Sequence, residues 1–311
     1  SPARAPCARY KAGCPTGRAR RGLAPDSSQG GQLTELIRTA GLQHLREDSG
    51  VALLRRPGGA DGGAPSLILL PVTSDPDAGR GDHLAREFDL RDRLDPAWAL
   101  MPRSLTRVGD APALELEDPG GVCLVDLLGA PLETGRFLAL AAGIAEALGR
   151  IHRAGLIHKD VKPANILVDC SDGRVRFTGF AMASSLQIAG QTAEPPEMIA
   201  GTLAFMAPEQ TGRTNRPVDA RSDLYALGVT LYLMATGTMP FAASDPMELV
   251  HLHIARRPDA PRDREGSVHP VISAMIMKLL EKAPEDRYQT AAGLLHDLHR
   301  CLDAWTTEQQ I

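Results

Sequence analysis

Between Leu156 and Val168 the sequence reads LIHKDVKPANILV, and three of its side chains have types and spacing suited to chemistry. Asp160 falls at the end of a tight loop, with Lys162 two residues on and Asn165 five on, ahead of an apolar run that reads as a short strand. A carboxylate so placed is suited to be the base of a phosphoryl-transfer site. In that reaction the protein does little covalent chemistry; it aligns a terminal phosphate with a hydroxyl and neutralises charge through lysine and Mg²⁺. The bland alternative is a loop kept for its shape, because Asp and Asn also satisfy backbone groups in turns.

The spacing from His158 to Asn165 is that of H-[RK]-D-x-K-P-x-N, and through it the chain resembles the eukaryotic-type Ser/Thr protein kinases. The resemblance implies an α+β, two-lobed kinase-like fold, with a small antiparallel β N-lobe carrying one helix and a mostly α C-lobe. It implies ATP and Mg²⁺ as cofactors. Asp160 would accept or orient the substrate hydroxyl proton, Lys162 would meet the γ-phosphate, and Asn165 would hold Mg²⁺ through its amide oxygen. Thr202, in Gly201 to Gln210 (GTLAFMAPEQ), would bridge toward Asp160 and Lys162, the combination of Ser/Thr kinases. Lys159 stands where Arg is commoner, which keeps the charge but not the bidentate fork that engages a phosphorylated loop. Glu209 and Arg287 are expected as a buried ion pair, and Asp223 as the anchor of the catalytic loop.

Other parts of the pattern are missing. Arg174 to Ser184 (RVRFTGFAMAS) occupies the place of the D-F-G segment, with Gly179 where the metal-binding Asp should be and Ala181 in place of Gly. Leu67 to Val72 fits the V-A-I-K strand with Leu70 or Pro71 at the Lys position, although Glu87, the acid such a Lys would pair with, is present. No G-x-G-x-x-G covers the phosphates. Losing one charge-stabilising contact costs about 10² to 10³ in rate, and such losses are not additive. The expectation is therefore a regulatory pseudokinase; the alternative is an active Ser/Thr kinase with an atypical metal site, rescued by Asp169, Asp172 or Lys162.

The elements that must position these residues follow from periodicity. Val51 to Leu54, Leu67 to Val72 and Ala113 to Leu116 read as strands, and His83 to Leu94 as one amphipathic helix. Asp118 to Gly121 reads as the hinge between lobes. Phe137, Leu140, Ala141, Ile144, Leu148 and Ile151 recur at helical steps and deliver the chain into the loop at 156–168. Leu224 to Ala235 reads as a central helix, and Pro246 to Ala255, Pro270 to Lys282 and Thr290 to Trp305 as three more. The reading divides the chain into a disordered basic tail (1–31), an N-lobe (32–117), a C-lobe (118–305) and a C-terminal tail or linker (306–311).

Bulk properties set the context. The apolar and charged fractions, 43% and 23%, are those of a globular protein, and a net charge of −4 gives no reason to expect nucleic acid as a partner. No apolar run approaches the roughly 20 residues of a membrane helix. Five scattered cysteines without a CxxC pair suggest neither zinc nor a disulfide framework, which makes the reducing cytoplasm the default. His251 with His253, and His296 with His299, read as helix faces and not metal ligands; Ser184, Ser185 and Thr192 are polar residues of a loop open to phosphorylation. From Asp118 to Leu302 the chain is similar to the N-terminal kinase-like module of large bacterial hybrid signalling proteins, which implies downstream signalling domains of a longer polypeptide, or a protein substrate, as partners.

Overall fold

Alternating leucines put one face of each central strand toward the interlobe space and the other toward an outer apolar layer. Strands β1 (Gln43–Asp48), β2 (Val51–Arg56), β3 (Ser66–Pro71), β4 (Pro102–Val108) and β5 (Ala111–Glu117) form one antiparallel sheet in the order β1-β2-β3-β5-β4. The architecture is that of a computed structural model, which describes residues 35, 37–58, 63–72, 80–185 and 203–308. The expectations for the tail at 1–31 and for Thr192 and Thr202 lie outside the described residues. Leu53, Leu67 and Leu69 line the inner face with Leu84 of helix α1 (Arg80–Asp89); Leu54, Ile68 and Leu70 line the outer face. The N-lobe helix ends at Asp89 and gives way to a 3₁₀ turn over Arg91–Arg93, short of the expected Leu94.

The hinge expected at Asp118 to Gly121 is held from β2. The Arg55 guanidinium donates to both carboxylate oxygens of Asp118, at 2.6 and 3.1 Å, and to the Gly121 carbonyl at 3.1 Å. Gly121 has φ +92°, and a Cβ there would stand 2.4 Å from the Val168 carbonyl oxygen, so only glycine fits this close crossing.

The C-lobe core is built around α2 (Thr134–Arg153) and α3 (Ala220–Thr236). All six periodic apolar residues of α2 are buried. Helix α3 starts one turn earlier than expected because Asp219 caps it, accepting from the Arg221 N–H at 2.8 Å, and Gly237 at φ +70° ends it. Capping by Asp219 leaves Asp223 free for other work. Short strands β6 (Val122–Cys123), β8 (Ile166–Val168) and β9 (Val175–Phe177) form a small sheet, and β7 (Leu156–Ile157) pairs with β10 (Ser184–Ser185). The remaining helices are α4 (Pro246–Ala255), α5 (Pro261–Arg264), α6 (Pro270–Leu279) and α7 (Ala291–Glu308). Helix α7 runs through the boundary expected at 305, because its apolar stripe continues through Cys301, Leu302 and Trp305 onto the core. Among the described residues, no helix is long and apolar enough to cross a membrane.

Candidate active site

The loop between β7 and β8 is held from below by one carboxylate. Asp223 is fully buried and accepts from the backbone N–H of His158 (2.8 Å) and Lys159 (2.7 Å) and from His152 Nε2 (2.9 Å). These contacts hold its carboxyl below the usual range against the opposing effect of burial. Lys159 sits at φ +66°, pinned at its N–H by Asp223 and at its carbonyl by Gln210 Nε2 (2.9 Å). The imidazole of His158 meets the Thr178 carbonyl at 3.0 Å and stacks obliquely on Phe177 and Phe180.

Three expected site residues converge on this platform. Lys162 Nζ lies 3.0 Å from Asp160 Oδ2, and Asn165 Nδ2 donates to the same oxygen at 2.7 Å. Glu209 and Arg287 meet in a fork at 2.7 and 2.9 Å with both side chains fully buried, and Ser222 Oγ donates to Glu209 at 2.7 Å. Arg287 spends its other donors on the carbonyls of Arg221, Glu281 and Lys282, so the buried pair is well satisfied.

The N-lobe reaches this platform through residues that sequence reasoning does not single out. Asp48 Oδ2 lies 2.7 Å from Lys162 Nζ, Ser49 Oγ accepts from the same ammonium at 3.2 Å, and Arg46 donates to Asn165 Oδ1 at 3.1 Å. Lys162 is 2% exposed and Arg46 6%. The one sequence signal is the dipeptide Ser49-Gly50, a turn signature between two extended stretches.

Gly179 lies at φ +81°, and a Cβ on it would stand 2.7 Å from Asn165 Nδ2. Glu87 is buried beside it and accepts from the Gly179 N–H (2.9 Å) and the Thr178 hydroxyl (3.2 Å), so a main-chain N–H and a threonine hydroxyl take the place of a strand lysine. Burial pushes the Glu87 carboxyl up, and those hydrogen bonds pull against the rise. The β3 residues sharing a cluster with α1 are Leu67 and Leu69. Leu70, one of the two expected lysine positions, belongs to the outer cluster, since neighbours on a strand face opposite ways. Asp169 and Asp172, considered as metal ligands, are engaged in the β8–β9 turn: Asp169 accepts from Ser171, and Asp172 accepts from the Arg174 N–H and pairs with its guanidinium. His251 and His253 diverge, the first exposed and the second buried on Tyr225 at 3.0 Å. His296 is exposed, and His299 lines a cavity of about 660 Å³ between α2, α7 and the β8–β9 turn.

Comparison with known proteins now decides the family. The family model described as "Protein kinase domain" matches residues 121–298, more than half of the chain. The chain belongs to the protein kinase family. It is similar to bacterial kinases: it is 36% identical over 195 residues to serine/threonine-protein kinase PknB of Mycolicibacterium smegmatis, a match that covers 62% of this chain and 31% of that protein. It is 35% identical over 194 residues to the probable serine/threonine-protein kinase SCO3848 of Streptomyces coelicolor, covering 62% of this chain and 28% of that one. With PknB of Mycobacterium tuberculosis the identity is 34% over 197 residues, 63% of this chain and 31% of that protein. The matched stretch thus spans about three-tenths of each relative.

Kinases as a family use ATP with Mg²⁺, and these residues do not fit that group. A cation on Asn165 would meet the Arg46 guanidinium, and Gly179 offers no carboxylate. Between the lobes, Leu53, Leu67 and Leu69 of the sheet and Cys123 and Leu167 of the C-lobe belong to one continuous buried apolar cluster.

Proposed function

We propose that this kinase domain is a regulatory pseudokinase, a Ser/Thr-kinase-shaped module that works through protein contacts in the cytoplasm. Its partners on this reading are signalling domains of a longer polypeptide. The observation that carries it is the apolar cluster joining the N-lobe leucines to Cys123 and Leu167 across the interlobe space. Gly179 and Leu69 support it, since neither supplies the charge that phosphoryl transfer requires.

A second reading rests on a specific observation: Asp160, Lys162 and Asn165 are assembled within hydrogen-bond reach of one another. That arrangement favours an active enzyme transferring phosphate from ATP to a protein Ser or Thr with an atypical metal site. Incubation of the purified chain with labelled ATP, Mg²⁺ or Mn²⁺ and a generic protein substrate separates the two. No transfer is expected; transfer that Asp160→Ala abolishes would overturn the pseudokinase reading.

A further inference from the structure

The β1–β2 hairpin deepens that reading, on which the following inference rests. Asp48 pairs with Val51 across the two-residue turn Ser49–Gly50, whose φ angles of +50° and +70° are both in the left-handed region, as the tightest hairpin connections require. Arg46 pairs with Leu53, so Arg46 and Asp48 share the sheet face that looks into the cleft. Pairing is irregular between His44 and Arg46, where Leu45 is the extra residue. Such a bulge turns consecutive side chains toward one side, and here Leu45 packs on the inner apolar cluster while the next residue reaches Asn165.

The chemistry at the hairpin tip is specific. A carboxylate on Lys162 Nζ at 2.7 Å presents oxygens to an ammonium as a terminal phosphate would. A guanidinium on Asn165 Oδ1 presents positive charge to an amide oxygen as a metal ion would. Arg46 is buried, has no carboxylate within salt-bridge distance among the described residues, and its Nε has no partner there, so apolar packing alone does not account for its position.

We infer that the β1–β2 hairpin is a built-in ligand of the catalytic loop, with Asp48 standing for a phosphate on Lys162 and Arg46 standing for a metal ion on Asn165. The lobes are thereby held closed by the chain itself, with no nucleotide needed. The residues that identify the family remain engaged, but their partner is covalently attached.

Hydrogen exchange on the full chain tests this, comparing wild type with Arg46→Ala/Asp48→Ala. In the variant, amides of 43–56 and 156–168 should exchange at least about tenfold faster while those of α3 are unchanged. Asp48→Asn alone, which keeps the size of the side chain, should give part of the same effect if the double variant fails to fold. Glu47→Ala, an exposed charge on the same strand, should give none. Wild-type exchange rates at 156–168 in Asp48→Asn would overturn the inference. A positive kinase assay with the exchange effect intact would remove the pseudokinase reading and leave the hairpin's role standing.

Discussion

At Gly179 the backbone itself resists a side chain. With φ at +81° and Asn165 Nδ2 2.7 Å from any Cβ, an aspartate introduced there must strain the chain and displace the amide. Gly179→Asp should therefore lower stability by about 1–3 kcal/mol in urea unfolding, and adding MgCl₂ should not raise its melting temperature. A Mg²⁺-dependent rise would show that the site reforms around the new ligand. At this scale the sequence is legible where chemistry is local: Asp160, Lys162 and Asn165 lie within six consecutive positions and share a loop. Arg46 and Asp48 are not legible, since they reach partners 119 and 114 positions away only once a sheet has folded over the loop.

Elements succeed or fail as sequence signals according to what they bury. Helix α2 shows its stripe because one face is wholly in the core. Strands β1 and β4 carry few large apolar residues, as edge strands do, and periodicity does not find them. The ties between elements are more telling than the elements. Glu209→Ala leaves the Arg287 guanidinium buried beneath the loop without its partner and should cost about 3–5 kcal/mol. Replacing both, as in Glu209→Leu/Arg287→Met, should cost less than the sum of the single changes in the same urea titration. Strict additivity would mean the pair is not coupled.

Across the whole molecule, acid stability follows from buried histidines. His253 is pushed down from 6.5 to about 3 by burial, with the Lys282 charge nearby adding to the effect, and burial lowers His158 as well. Both are neutral when folded and take up protons when unfolded. Their contribution is therefore complete above pH 6.5 and declines as the pH falls toward the folded value, about 1.4 kcal/mol per pH unit for each proton. Melting temperatures measured from pH 7 to pH 4 should fall accordingly, and His253→Asn should flatten the slope by about one proton; an unchanged slope would contradict the assignment. Asp48 and Asp223, whose carboxyls are held low, add losses only below their ordinary 3.8. The contact between Glu87 and the 178–180 segment has a further consequence for genetics. The Gly179 N–H is main chain, so among single exchanges at that position only proline deletes the donor itself. A mutational scan sees that bond chiefly from the Glu87 side, as sensitivity at one acidic codon, with Thr178 as the one side-chain partner on the facing segment.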